Sequence, residues 1–119
     1  MRTNLKAVPE KKPNEDIIEY VPQRNLPPAS VYTLIVKGES MNPGLRPGDY
    51  IAFMQASSYK HNDIVIVSDE FGDCMLKRYK IKDNDIILTS DNPEYPTIKP
   101  NDNYRILGKV IKAWRDLPF

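Results

Sequence analysis

From residue 31 onward the chain alternates short apolar runs with turn signals, and no stretch sustains a helical period. This pattern predicts strands at Val31–Lys37, Tyr50–Met54, Asp63–Ser68, Cys74–Lys82, Ile86–Thr89 and Tyr104–Trp114. The last of these should bend or bulge at Gly108. Between them, Asn42-Pro43-Gly44 and Arg46-Pro47-Gly48 punctuate the segment 38–49. Phe71-Gly72-Asp73 reads as one hairpin turn and Asp83-Asn84-Asp85 as another, while Asp91–Asn103 is a polar, proline-rich loop. Strands spaced in this way suggest a mostly-β domain of sandwich or barrel-like type. The segment 1–30 differs from the rest. It is polar and carries Pro9, Pro13, Pro22, Pro27 and Pro28, which forbid a continuous helix. It is expected to be a flexible, extended arm or linker with one short strand candidate at Asp16–Val21, leaving 31–119 as the folded domain.

Composition narrows the chemistry. A chain of 119 residues is one domain's worth. The formal net charge of +1 argues against a protein that coats nucleic acid by bulk charge. One Cys and one His make neither a disulfide framework nor a closed zinc site, so no metal or other cofactor is expected. The 11 prolines against 5 glycines suit a loop-rich β protein. The longest aliphatic stretch, Ile64-Val65-Ile66-Val67, has strand length, and neither a signal peptide nor a membrane span is visible. A cytoplasmic protein with no membrane partner is the expectation.

Two residues carry the chemical argument. In the strand Cys74–Lys82, alternate side chains share a face. Met75, Lys77, Tyr79 and Ile81 therefore point one way, and Leu76, Arg78, Lys80 and Lys82 point toward a presumed wet face. Lys77 thus lies among apolar neighbours. Burial disfavours the ammonium form, and a neutral lysine amine can serve as a general base. By parity alone, snorkelling of the amine along its own stem is the favoured alternative. Ser40 follows the first strand, at a strand-to-turn junction where backbone N–H groups could serve an oxyanion. A turn or capping serine is the commoner occupant of such a place. The other singular residues read more simply. His61 sits in a polar turn, Cys74 packs opposite Lys77, Arg78, Lys80 and Lys82 form a solvated charged face, and Trp114 is a core or interface aromatic.

Taken together, these motifs resemble a known family. Val36-Lys37-Gly38-Glu39-Ser40-Met41-Asn42-Pro43, followed by Leu45-Arg46-Pro47-Gly48-Asp49, resembles the nucleophile region of the LexA/UmuD-like serine peptidases. Asp63-Ile64-Val65-Ile66-Val67 and then Leu76-Lys77-Arg78 resemble the second signature. Asn92-Pro93-Glu94-Tyr95-Pro96-Thr97-Ile98 looks like the family's N-P-x-Y-x-P-I loop with the second proline one place earlier, and Gly108-Lys109-Val110-Ile111 like its closing G-x-V strand. The likeness runs in order over roughly residues 31–115.

The resemblance implies a LexA C-terminal-like (signal-peptidase-like) fold of short twisted sheets and a Ser–Lys dyad. Ser40 would be the nucleophile and Lys77 the general base, with Glu39 and Met41 as neighbours of the oxyanion and substrate site. It implies a self-cleaving peptidase and dimerisation domain of a transcriptional regulator, of SOS or prophage-repressor type. The partners implied are a second copy of the chain and a RecA nucleoprotein filament as inducer, with DNA reached only through a separate domain. A UmuD-like subunit of a translesion polymerase and a catalytically silent dimerisation module of the same fold are the alternatives. The chain departs from the family in having neither Ala-Gly nor Cys-Gly, the usual scissile pairs. Lys6-Ala7-Val8, within Leu5–Val8, is the loose substitute. An excised fragment, a divergent cleavage site and a lost substrate would each explain this. His61-Asn62-Asp63 also replaces the family's frequent Gly-Asp, at a turn without a catalytic role.

Overall fold

A computed structural model describes residues 31–101 and 103–117. The expected arm 1–30, with its strand candidate Asp16–Val21, lies outside the described residues.

Among the described residues six strands form: β1 (Val31–Ile35), β2 (Tyr50–Met54), β3 (Ile64–Ser68), β4 (Cys74–Lys82), β5 (Asp85–Thr89) and β6 (Arg105–Trp114). Each falls on a predicted run, with ends moved by a residue or two. All pairings are antiparallel, and the strands join into one sheet of order β1-β2-β6-β3-β4-β5. The mostly-β reading holds, and of the sandwich and barrel-like options the single continuous sheet excludes the sandwich. No helix among the described residues is long and apolar enough to cross a membrane.

The turns follow from their residues. Asp83 and Asn84 both take positive φ, 53° and 70°, and Lys82 pairs with Asp85. That is a two-residue hairpin loop whose twist matches the flanking strands, and Asp and Asn tolerate it best after glycine. At Arg46-Pro47-Gly48-Asp49 the proline presets the first central φ and Gly48 supplies the positive one, 95°. The Asp49 N–H closes this turn on the Arg46 carbonyl at 3.0 Å.

Strand β6 is central and bulged twice. Against β3, Ile66 pairs with Gly108 and Val67 with Ile106, leaving Leu107 as the extra residue. Against β2, Ala52 pairs with Lys112 and Phe53 with Val110, leaving Ile111. The bend expected at Gly108 is thus made by two bulges that flank it. Bulges raise the local twist and curl the sheet.

The sheet buries both faces at its centre. Leu34, Val36, Met41, Leu45, Ile51, Phe53, Ile66, Cys74, Leu76 and Leu107 cluster on one side. Val65, Val67, Met75, Tyr79 and Leu88 cluster on the other. This corrects the expected wet face of β4. Cys74 and Leu76 are core residues, because the segment after β1 folds over that side and brings Met41 and Leu45 with it. The strand reaches water only toward its far end, where Ile81, expected among the apolar neighbours of Lys77, is 45% exposed.

One ion pair ties the end of the chain to the domain. Asp49, 3% exposed, accepts from Arg115 Nε at 2.6 Å and from Arg115 Nη2 at 2.7 Å. Its Oδ2 also accepts from the Arg46 N–H at 2.9 Å. The Arg115 hydrogen bonds hold the Asp49 carboxyl below the usual carboxylate range, against the opposing effect of burial. A carboxylate whose pKa is lowered by folding stabilises the fold above its unfolded pKa, and that contribution disappears as pH falls through the folded value. The stability gap between wild type and Asp49→Asn should therefore be widest near neutrality and close in acid. Urea unfolding at pH 7 and pH 3 checks this, and a gap that is constant with pH would contradict it.

Candidate active site

Ser40 and Lys77 enter the site from distant places in the strand order, after β1 at one edge and on β4 next to the other. Ser40 lies in the turn that follows β1, where Asn42 N–H bonds to the Glu39 carbonyl at 3.1 Å and Leu45 N–H to the Met41 carbonyl at 3.1 Å. Lys77 lies mid-β4, opposite Val65 of β3. In a flat six-stranded sheet the two edges would stand about 24 Å apart. Here the segment after the last strand in the order touches the segment after the first. Asn92 N–H donates to the Ser40 carbonyl at 2.9 Å, and Asn92 Nδ2 donates to the Glu39 carbonyl at 3.0 Å. The sheet must be strongly curled to permit this.

The same short segment holds Lys77. Its Nζ donates to Ser90 Oγ at 2.8 Å. The register explains why: Arg78 pairs with Thr89, so Ser90 is the next cross-strand position opposite Lys77. Ser90 and Asn92 are two residues apart, and two residues of extended chain span only about 7 Å. Ser40 and Lys77 are thereby drawn to one corner. On the other face, Arg78 clamps this segment through Asp91, with Nη2 to Oδ2 at 2.6 Å and Nε to Oδ1 at 3.2 Å.

Both residues are fully buried. Lys77 does not snorkel. Its chain runs along the face of Met75 and Tyr79, as strand parity requires. Ser40 Oγ is buried without a hydrogen-bond partner among the described residues. The Ser40–Lys77 hydrogen bond itself is therefore not made in this arrangement. A buried hydroxyl with no partner costs about 1–3 kcal/mol, and such orphans collect at sites that do chemistry.

The other residues singled out by sequence separate clearly. Met41 is 1% exposed and belongs to the core. Glu39 is exposed, and its carboxylate accepts from Asn42 Nδ2 at 3.4 Å. His61 is exposed, but its Nδ1 accepts from the Ile81 N–H at 2.9 Å and so caps the side of β4. Cys74 is a buried free thiol on the face opposite Lys77. Trp114 is 37% exposed and stacks on Tyr50, with ring centroids 5.6 Å apart. Among the described residues no group of three or more His, Cys, Asp or Glu side chains could hold a metal ion. Sequence reasoning missed Ser90, which no motif contains. Its signal was the hairpin at Asp83-Asn84, from which the pairing of 77 with 90 can be counted.

Residues 6–111 match the family model described as Peptidase S24-like. The chain belongs to this peptidase family. It is 36% identical over 107 residues to the LexA repressor of Bacillus velezensis, covering 85% of this chain and 50% of that protein. The LexA repressor of Bacillus subtilis is also 36% identical over 107 residues, at 85% and 51% coverage. That of Listeria monocytogenes is 35% identical over 107 residues, at 87% and 52% coverage. The chain thus spans about half the length of these curated relatives. The family resemblance drawn from its motifs is thus confirmed.

Proposed function

We propose that this domain is a self-cleaving Ser–Lys peptidase that also dimerises, within a transcriptional regulator of SOS or prophage type. The observation that carries the reading is the burial of Ser40 and Lys77 at one corner, both tied to the segment Ser90–Asn92. Full burial disfavours the ammonium form of Lys77. The neutral Lys77 amine takes the Ser40 proton as Oγ bonds to a peptide carbonyl carbon. The C–N bond then breaks, and Lys77 returns that proton to the leaving amine. Water, deprotonated by the same amine, releases the acyl group from Ser40. The scissile bond lies in the chain's own segment 1–30, near Lys6-Ala7-Val8. The family match begins at residue 6, which supports counting that segment with the peptidase. Because Ser40 is fully buried, cleavage is read as gated by a local rearrangement that opens the site. A RecA nucleoprotein filament is the inducer proposed to favour the open arrangement. A second copy of the chain is the proposed lasting partner, and DNA is reached through a separate domain of the regulator.

The test is incubation of the protein, with its full upstream sequence, at raised pH, followed by intact mass. Wild type should give two fragments whose masses add to the parent plus one water, while Ser40→Ala stays whole. Equal survival of both, under conditions where a matched LexA control cleaves, would overturn the reading.

A further inference from the structure

The Ser40–Lys77 pair leaves one side chain in the corner without an assigned role. Ser90 Oγ stands 2.8 Å from Lys77 Nζ, at the cross-strand position opposite the lysine. Its backbone is held from both sides. The next residue, Asp91, is gripped by the Arg78 guanidinium, and the one after, Asn92, bonds to the carbonyls of Ser40 and Glu39. Ser90 is therefore carried by a segment with little freedom to move, and its hydroxyl meets the amine at a set position.

We propose that Ser90 is a positioning residue for the general base, its hydroxyl accepting a hydrogen bond from Lys77 Nζ and so turning the amine's lone pair toward Ser40. The inference rests on reading Lys77 as that base. A lysine amine ends a stem of four rotatable carbons, so burial alone does not say where its lone pair points. A neutral amine has two N–H bonds and one lone pair. An acceptor fixed on one N–H restricts rotation about the Cε–Nζ bond and confines the lone pair to the remaining directions. Orientation of this kind is worth large factors in rate.

Several charged and titratable groups near Lys77 have partners of their own. On β4, Tyr79 shares its face, and Arg78 on the opposite face is bound to Asp91. On the β3 side Asp63 approaches Lys109 of β6 at 3.9 Å, and Lys109 lies two strands from Lys77 across Val65. From the turn after β1 comes Glu39, exposed and bonded to Asn42. Tyr59 stacks at a tilt against Tyr79. Ser90 is a neutral group that meets the amine directly, at 2.8 Å.

The experiment is the pH–rate profile of self-cleavage for wild type, Ser90→Ala and Ser90→Thr, each with its full upstream sequence and each checked for folding by urea titration. Ser90→Ala removes an acceptor that favours the ammonium form. The midpoint of its profile should move down by about half a pH unit or more. Its high-pH plateau should fall about ten- to a hundredfold, because the lone pair is no longer aimed. Ser90→Thr keeps the hydroxyl and should restore both midpoint and plateau. A profile of Ser90→Ala that superimposes on wild type would overturn the proposal. So would a lowered plateau with an unmoved midpoint, since a purely structural loss has that form. Absence of cleavage in wild type itself would overturn the dyad reading and Ser90's role with it. The two failures are told apart by the wild-type curve alone.

Discussion

Lys77→Met should abolish self-cleavage and, in the same protein, raise its resistance to urea. Loss of the base removes the acceptor for the Ser40 proton and the donor for the leaving amine. General acid–base catalysis alone is worth about 10² to 10⁴ in rate, so cleavage should fall by at least about a thousandfold. The stability effect has the opposite sign. Lys77 is fully buried, and its Nζ meets a neutral hydroxyl. Replacing a buried amine by an apolar side chain of similar length removes a desolvation cost. The hydroxyl it leaves behind on Ser90 is neutral and keeps part of its surface in water. A gain of about 1–2 kcal/mol is expected, read as a higher urea midpoint with an unchanged slope. A residue kept only for the fold would lower stability when replaced. A variant that still cleaves at a tenth of the wild-type rate, or that unfolds earlier, would contradict the assignment.

Gly108→Ala carries the other large effect, and it concerns the curl on which the site depends. A methyl at Gly108 would stand 2.5 Å from the Met54 carbonyl oxygen and 2.8 Å from a ring carbon of Phe53. The first contact is backbone, in the neighbouring strand, and cannot swing away. Gly108 also sits between the two bulges of β6, which pairs with both β2 and β3. Overpacking of a core normally costs 1–3 kcal/mol, and a backbone clash in the central strand should reach the top of that range, about 3 kcal/mol. Urea unfolding measures it. Because β6 joins the β1–β2 half of the sheet to the β3–β5 half, cleavage should slow as well. A neutral substitution would mean that β2 and β6 separate more easily than their register suggests.

The strands were legible because their apolar runs are short and their turns carry glycine, proline, Asp and Asn where the backbone needs them. The parity of β4 placed Lys77 beside Met75 and Tyr79 correctly. The same parity misjudged Leu76. A sheet covered on both faces puts apolar residues on each, and nothing local to β4 announces that Met41 and Leu45 will fold across it. Ser40 was visible through its motif, and its depth was not. Its burial accompanies the meeting of two segments, with Glu39 and Asn92 lying 53 residues apart in sequence, a consequence of curl rather than of composition. Ser90 belongs to no motif, and only the register set by the Asp83-Asn84 hairpin brings it to the lysine. Of the two readings of Trp114, the core one fails, since it lies at the surface against Tyr50, and the arm lies outside the described residues.

The central claim is that a neutral Lys77 takes the proton of Ser40 in cleavage of the protein's own chain. Its most direct test is the first-order rate of self-cleavage in the wild-type protein across pH 6 to 11. The rate should be independent of protein concentration, rise along a single ionisation and level off, with its midpoint clearly below the value of about 10.4 for a free lysine. A rate that is flat with pH, or one still climbing through the range of free lysine, would contradict it.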